Sequence, residues 1–329
     1  MKLLRVSPSP HMRSAKTTAS VMRDVIIALS PALIWAVYVF GFRALTVTLL
    51  SVAACVGAEA LFCYITKRRQ TISDLSAVVT GLILAFNLPV TVPLWLPVIG
   101  GAFAIMVVKM LFGGIGKNFL NPALAARVFL FLSFPSFMAG SFAAPDAARG
   151  LSPFALSIGL DGVSSPTVLS SIESGVDKRV LVDMFYGNIG GCIGEVSKLC
   201  LLLGLLYLLV RRVITWHIPV TYLVSFFLLC FMFPRGDDEA LSFALASLLS
   251  GGVMLGAVFM ATDYATSPLT ATGKLIYGVG CGGLTVFFRY FSSYPEGASF
   301  AILIMNTFVY YIDRWTQPRR FGGGKHAGK

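Results

Sequence analysis

The stretch GLILAFNLPVTVP, residues 81–93, begins as an apolar helix and is then interrupted by an asparagine and two prolines. A second stretch, GAVFMATDYATSP at residues 256–268, has the same order of a glycine, an apolar half-helix, a polar break and a proline. Polar and helix-breaking residues at membrane depth are tolerated only where protein or a cavity surrounds them. The two stretches therefore indicate two broken membrane helices that face the protein interior.

The composition supports a membrane location. Apolar residues make up 56% of the chain, charged residues 12%, and the mean hydropathy is +0.80, whereas a soluble domain carries about a quarter charged residues. The net charge is +11, but the basic residues cluster beside the apolar runs, as they do where they set membrane orientation. This pattern predicts a lipid bilayer as the partner and argues against nucleic acid. The six cysteines include no CxxC pair, so no metal or cluster motif is predicted.

About ten apolar segments follow one another along the chain. They are residues 24–41, 44–66, 75–88, 94–112, 119–137, 188–210, 214–233, 241–260, 273–292 and 297–313. The third and eighth segments are the short, broken ones. Each half thus has five segments and, because five is odd, the second half enters the membrane with opposite polarity. This predicts an all-α polytopic protein of about ten transmembrane helices in two inverted five-helix repeats, and chance similarity of two apolar halves is the alternative.

The distribution of Lys and Arg predicts the orientation. With the N-terminus in the cytoplasm, the cytoplasmic segments carry about three times as many basic residues as the outer ones. Both termini then lie on the cytoplasmic side of the membrane. The expected division of the chain is a cytoplasmic segment 1–23, a first repeat 24–137, an outer loop 138–187, a second repeat 188–313 and a cytoplasmic tail 314–329.

Ionisable residues inside the apolar segments are costly and are usually functional or paired. Glu59, in the second segment, and Asp263, after the eighth, have no obvious local partner, so we expect them to line a cation path. Glu195 and Lys198 are three residues apart and share a helical face. They are expected to form either an internal salt bridge or a functional pair.

Two polar regions stand apart from the apolar segments. Asn118 and Asn121, in GKNFLNPALAARVF (116–129), precede the fifth segment, where an asparagine caps a helix. The stretch DGVSSPTVLSS (161–171) lies in the outer loop. A loop of this length without regular pattern is usually functional or disordered, and the residues alone indicate only a polar outer loop.

Several long stretches resemble one membrane-protein family. They are SPSPHMRSAKTTASVMRDVIIALSPAL (7–33), GKNFLNPALAARVFLFLSFP (116–135), GAVFMATDYATSPLTATGKLIYG (256–278) and YPEGASFAILIMN (294–306). The family includes the D subunit of the Rnf complex, a membrane-bound ferredoxin:NAD⁺ oxidoreductase, and the B subunit of the Na⁺-translocating NADH:quinone reductase. The short N-terminal tail is more similar to the Rnf protein. The resemblance implies a redox subunit that works with other Rnf subunits in an ion-translocating oxidoreductase.

The resemblance also implies a covalent FMN in the outer loop. In this family a threonine in the pattern D-x-x-[ST]-G-A-T carries FMN through a phosphoester that a flavin transferase forms. Asp161, Ser164 and Thr167 match this pattern, so Thr167 is the expected FMN anchor. Ser165 and Pro166 replace the glycine and the alanine. Proline fixes φ and removes a backbone donor, and Ser165 is an alternative acceptor.

A second flavin and an ion path are implied in the same way. By resemblance, Asn118 and Asn121 are expected to form the wall of a non-covalent riboflavin site, in addition to the capping role that the residues themselves favour. Electron transfer in the family is coupled to movement of Na⁺ or H⁺. We expect the ion path beside the two half-helices, with Asp263 and Glu59 in it and Phe259 as an apolar gate.

Two other functions remain compatible with the residues. An inverted-repeat transporter or channel without redox chemistry would also show broken helices around a polar site. A protein that only scaffolds its partners is the third alternative. Both predict that the purified chain carries no flavin.

Overall fold

The computed structural model describes residues 17–139, 142, 148–155, 178–195, 197–235, 239–292 and 297–318. Within these ranges every regular element is a helix. In chain order the helices are α1 (Thr18–Phe40), α2 (Phe42–Ile65), α3 (Ser76–Phe86), α4 (Trp95–Ala102), α5 (Pro122–Ser133), α6 (Pro135–Ala139), α7 (Lys178–Tyr186), α8 (Lys198–Val210), α9 (His217–Met232), α10 (Ala240–Leu249), α11 (Val253–Leu255), α12 (Ala271–Phe291) and α13 (Ala298–Thr316). Helices α4 and α11 continue as wider π-helical turns over Phe103–Met110 and Gly256–Met260.

Each apolar segment predicted from the sequence contains a helix, so the helical class is confirmed. Helices α1, α2 and α12 are long and apolar enough to cross a membrane singly, whereas α10 and Val253–Met260 qualify only as a pair bent by 64°. The shorter apolar helices α3, α4 with its extension, α5, α8 and α9 have 10–17 residues, fewer than the roughly 20 that a straight span needs. The protein is a multi-pass helical membrane protein with several short or broken helices.

Local signals account for the helix ends. The Thr17 hydroxyl accepts a hydrogen bond from the Ser20 backbone N–H at 3.2 Å and caps the start of α1. Gly41 separates α1 from α2 with a φ of +73°, a conformation that glycine adopts without steric cost. Thr270 caps α12 by accepting from the Gly273 N–H at 3.0 Å. The chain can therefore turn within one or two residues between neighbouring helices.

Small residues bring the helices into close contact. A Cβ placed on Gly81 of α3 would lie 2.7 Å from the Cα of Val52 on α2. On α12, a Cβ on Gly278 would lie 1.9 Å from the Thr221 hydroxyl oxygen of α9. Without a hydrophobic driving force between helices in lipid, such small residues let backbones approach and gain van der Waals contact. The glycines thus hold α3 on α2 and α12 on α9.

Both half-helices end where the sequence predicts a break. Helix α3 ends at Phe86, and the irregular segment after it places Pro89 in an isolated antiparallel bridge with Cys192. The second half-helix ends at Met260. The structure adds a bend that the sequence analysis did not predict, at Ser250–Gly252 between α10 and α11, where Gly251 has a φ of +62°. The two half-helix ends meet, because the Asn87 amide nitrogen lies 3.8 Å from the Met260 sulfur.

Candidate functional site

A cavity lies beside the second half-helix and reaches α1, α3, α5 and α8. Its volume is about 90 Å³, room for several water molecules at roughly 10–15 Å³ each. The apolar part of its wall is formed by Val21, Met22, Val25, Val79, Ile83, Ile115, Pro122, Ala123, Leu208, Val213, Ile214, Phe259 and Ala265. The polar part is formed by Ser76, Thr80, Lys109, Asn118, Asn121, Thr262, Asp263 and Tyr264. An apolar pocket with a few converging polar groups is the usual form of a ligand site.

The two asparagines predicted as a flavin wall both line this cavity. The Asn121 side-chain oxygen accepts from the backbone N–H groups of Ala123 and Leu124, at 3.1 and 3.3 Å, so its predicted role as the cap of α5 is confirmed. Its amide nitrogen donates to the Met260 carbonyl at 3.3 Å. Asn121 therefore ties the start of α5 to the end of the second half-helix as well as facing the cavity.

Asp263 and Phe259 also line the cavity, Phe259 from the π-helical turn and Asp263 from the loop that follows it. The expectation that Asp263 lacks a local partner is wrong. Its carboxylate accepts from the Thr266 hydroxyl at 3.2 Å and from the Ala265 N–H at 3.4 Å. These contacts arise because an aspartate after a helix readily accepts from backbone and hydroxyl groups two or three residues on. They hold one polar side of the cavity in place.

Glu59 is fully buried, and it has no partner among its sequence neighbours, as expected, but residues further along the chain bind it. Lys109, from the π-helical extension of α4, places its Nζ 2.8 Å from the Glu59 Oε2. The same Nζ donates to the Ser76 hydroxyl at 2.6 Å, and the Thr71 hydroxyl donates to the other Glu59 oxygen. Glu59 itself is not part of the cavity wall, but Lys109 and Ser76 are.

The buried pair was not predicted, because Lys109 was counted only among the basic residues that set the orientation. Lys109 stands inside the apolar run VVKMLF (107–112), which is the signal that marks an expensive intramembrane charge. The partner lies 50 positions away in the sequence, so local spacing does not reveal it.

The Glu195 and Lys198 side chains do not form the ion pair that their spacing suggested. Glu195 belongs to a short 3₁₀ turn before α8, and the buried Lys198 Nζ donates to the Glu195 backbone carbonyl. The carboxylate instead accepts from the Cys192 N–H at 3.4 Å and lies 4.0 Å from the Arg127 guanidinium. Because the turn is not α-helical, the assumed shared helical face does not exist.

The predicted FMN motif, with Asp161, Ser164, Thr167 and the alternative acceptor Ser165, lies outside the described residues. The described chain before it is held by Arg43, which is fully buried at the start of α2. The Arg43 guanidinium donates to the carbonyls of Ser152, Pro153 and Ala155, and also to Val90 and Val92. Arg43 therefore joins the segment Ser152–Ala155 to the break after α3, a role that was not predicted from the sequence.

Known proteins are similar to this chain over nearly its whole length. The chain matches the profile of the NQR2, RnfD, RnfE family over residues 5–322. It is 46% identical to the D subunit of the Na⁺-translocating ferredoxin:NAD⁺ oxidoreductase complex of Acetobacterium woodii, covering 97% of this chain and 95% of that protein.

Two further relatives share most of their length with this chain. It is 38% identical to the D subunit of the ion-translocating oxidoreductase complex of Stutzerimonas stutzeri, covering 92% of this chain and 91% of that protein. It is 35% identical to the D subunit of the proton-translocating ferredoxin:NAD⁺ oxidoreductase complex of Clostridium ljungdahlii, covering 97% and 96%. The chain belongs to the NQR2, RnfD, RnfE family.

Proposed function

We propose that this chain is the D subunit of an Rnf-type complex. In this role it is a membrane protein that, with other Rnf subunits, couples electron transfer between ferredoxin and NAD⁺ to movement of Na⁺ or H⁺. The proposal is supported by similarity to three named D subunits over nearly the whole chain. The structural observation that carries it is the cavity at the second half-helix, where Asn118, Asn121, Phe259 and Asp263 come together.

The membrane arrangement that we propose is ten spans in two inverted five-helix repeats, with both termini on the cytoplasmic side. One structural feature supports the inverted repeats. Helix α3 and the segment Val253–Met260 are short helices that end in polar breaks at matching positions of the two halves. In inverted-repeat membrane proteins, ligand and ion sites lie near such discontinuous helices.

A non-covalent flavin, riboflavin by family resemblance, is the ligand that we propose for the cavity. The donor set fits it, because a flavin is a flat apolar ring system with polar edges and a chain of hydroxyls. The cavity of about 90 Å³ must widen to admit it, since ligand pockets usually have roughly 300–1,000 Å³. Val25, Val79 and Phe259 provide apolar wall, while Asn118 and Asp263 provide hydrogen-bonding groups. A bound flavin supplies one- or two-electron transfer, and the protein binds, orients and tunes it.

The covalent FMN is proposed on Thr167, with Asp161 and Ser164 as the matching motif residues and a flavin transferase as the enzyme that attaches it. This part of the proposal rests on the sequence motif. Arg43 supports it indirectly, since its hydrogen bonds fix the described chain at Ser152–Ala155, before the motif. A tethered cofactor on the outer face is not lost by dissociation.

The ion path is proposed along the polar side of the cavity. Asp263 presents a carboxylate there, and Phe259 lies beside it as an apolar side chain that is 5% exposed. A Cβ on Gly204 of α8 would lie 2.8 Å from the Phe259 ring, so α8 and Phe259 are in close contact. Glu59 acts on the path through Lys109, the member of its ion pair that reaches the cavity.

The flavin content of the purified complex tests the proposal. On a denaturing gel, Thr167→Ala should abolish the flavin fluorescence of this chain, whereas Ser165→Ala should keep it. Asn118→Ala should lower the affinity for the non-covalent flavin about two- to tenfold, since one hydrogen bond contributes roughly 0.5–1.5 kcal/mol. The matched control is Asn188→Ala, because Asn188 is exposed and is not part of the cavity wall.

Each outcome separates the alternatives. Fluorescence that persists in Thr167→Ala and disappears in Ser165→Ala would move the anchor to Ser165. An unmodified chain without any covalent or released flavin would contradict the redox role. It would instead favour the transporter without redox chemistry, to which a polar cavity at two half-helix ends also points.

A further inference from the structure

The two broken helices meet around one guanidinium group. Arg127, on α5, is 5% exposed. Its Nη1 donates to the Asn87 side-chain oxygen at 2.7 Å and to the Ser299 hydroxyl at 2.8 Å. Asn87 directly follows α3, and Ser299 lies in the first turn of α13. Arg127 is thus bound to the end of the first half-helix and to a helix of the second half.

The bend between α10 and α11 lies against the same guanidinium group. A Cβ placed on Gly252, in the bend between α10 and α11, would lie 3.5 Å from the Arg127 Nη1 and 3.1 Å from the Glu195 Oε1. Glu195 in turn lies 4.0 Å from the Arg127 Nη2. The absence of a side chain at Gly252 therefore makes room for the Arg127–Glu195 contact at the bend.

The position of Arg127 is one that favours a cation. The C-terminal end of a helix carries a partial negative charge from its free carbonyls. In inverted-repeat transporters, the carbonyls at half-helix C-termini and in unwound segments coordinate Na⁺ or H⁺. Here the end of α3 and the bend at Gly252 are both occupied by a side-chain cation that belongs to the protein.

The neighbouring charges leave this region net positive among the described residues. Lys198 is fully buried beside Glu195, and Arg289 reaches the same bend by donating to the Ser250 carbonyl at 2.9 Å. Glu195 supplies one carboxylate against these cations. Like charges repel strongly where water is excluded, so a free cation in this region would meet a barrier.

Arg127 also lies just beyond the end of the cavity. The cavity wall includes Asn121 and Ile83. Arg127 follows Asn121 by six positions along α5, about 9 Å further at 1.5 Å per residue. The Asn87 side-chain oxygen faces Arg127, and its side-chain nitrogen donates to the Ile83 carbonyl at 2.6 Å. Arg127 and Asn87 thus lie further along the chain, in and after α5 and α3 respectively, than the residues of these helices that line the cavity.

We propose that Arg127 is a tethered cation that seals the junction of the two broken helices against Na⁺ and H⁺. The cavity is then closed at this end, and an ion can pass the junction only when Arg127 moves away from Asn87 and Ser299. This proposal rests on the ion-translocating function proposed above. It adds a positioning and selectivity residue that does not itself contact the proposed flavin.

Passive ion entry into liposomes that contain the purified complex tests this seal. The uptake of radioactive Na⁺ and the decay of a pH gradient are measured without an electron donor. Arg127→Ser should raise the rate of Na⁺ entry at least about tenfold, because it removes the charge barrier and opens space. Arg127→Lys, which keeps the charge, should stay close to the unmodified rate. Guanidinium ion added to the Arg127→Ser liposomes should lower the rate of Na⁺ entry to that of the unmodified complex.

Two further variants separate a seal from a structural role. Arg127→Gln retains a hydrogen-bond donor for Asn87 but lacks the charge, and should leak more than Arg127→Lys. Ser299→Ala removes one acceptor but leaves the charge and the Asn87 contact, and should leak less than Arg127→Gln. Liposomes of Arg127→Ser and Arg127→Gln that are as tight as the unmodified ones, with normal complex assembly and flavin content, would overturn the proposal. Absence of redox-driven uptake in the unmodified complex would instead contradict the proposed function.

Discussion

The two helix breaks satisfy their free backbone carbonyls in the same way but with different partners. After α3, the carbonyls of Val90 and Val92 accept from Arg43 at 3.4 and 2.9 Å. At the bend between α10 and α11, the carbonyls of Ser247 and Ser250 accept from Arg289 at 2.6 and 2.9 Å. In a bilayer, an irregular backbone is tolerated only if such groups are satisfied within the protein. Each break therefore has its own arginine, which is fully buried in the case of Arg43 and partly buried in the case of Arg289.

The two arginines are not equivalent in the predicted repeats. Arg43 lies at the start of α2, the second helix of the first half, whereas Arg289 lies in the last turn of α12, the fourth helix of its half. Arg43 also binds the segment Ser152–Ala155, and Arg289 lies over the Phe226 ring at 4.9 Å. The helices that stabilise the two breaks therefore differ. The break after α3 is joined to the segment Ser152–Ala155, and the bend between α10 and α11 is joined to the helix bundle.

Removal of Arg43 should lower the thermal stability of the protein most. Arg43→Met leaves the buried Val90 and Val92 carbonyls without donors, and roughly 1–3 kcal/mol per group is expected to be lost. The thermal midpoint of the detergent-solubilised chain, followed by size-exclusion chromatography, should fall by several degrees. Arg149→Met is the matched control, because Arg149 is an exposed arginine at the same end of α1 and α2. An equal loss in both variants would contradict a specific role for Arg43.

The next largest difference in thermal stability is expected between alanine substitutions of the glycines at matching positions of the two half-helices. Gly81→Ala places a Cβ 2.7 Å from the backbone of Val52, whereas Gly256→Ala places one 3.2 Å from the end of the Ile302 side chain. Overpacking against backbone costs about 1–3 kcal/mol, while a side-chain end can rotate away. The same thermal measurement should show a loss for Gly81→Ala and little change for Gly256→Ala. Equal effects would mean that the two half-helices are packed alike.

Arg289→Lys should have the smallest effect of the three. The charge is retained, but lysine lacks the planar fork with which Arg289 binds the Ser247 and Ser250 carbonyls together. A loss of about 1 kcal/mol is expected. Hydrogen exchange at Ser250–Gly252 should increase in this variant, and exchange after α3 should stay as it was. Faster exchange at both breaks would show that they are coupled more closely than their separate arginines indicate.

Local patterns in the sequence were sufficient to predict the helical membrane class, the ends of both half-helices and the cap at Asn121. Apolar periodicity, proline, glycine and capping side chains act within a few residues of themselves, so they can be read without knowing the fold. The long stretches 116–135 and 256–278 were likewise sufficient to indicate the family, which the profile match over residues 5–322 confirms.

Only the tertiary structure decided how the polar groups are paired. Glu59 and Lys109 are 50 positions apart, and Arg127 binds Ser299 across 172 positions. The local sequence showed no partner for Glu59 because Lys109 is distant, whereas the expectation for Asp263 failed because Ala265 and Thr266, two and three residues on, donate to its carboxylate. The convergence of Asn118, Asn121, Phe259 and Asp263 on one cavity also depends on which helices pack together. In a low-dielectric interior every buried charge must find a partner, but the sequence alone does not specify which distant helix provides it.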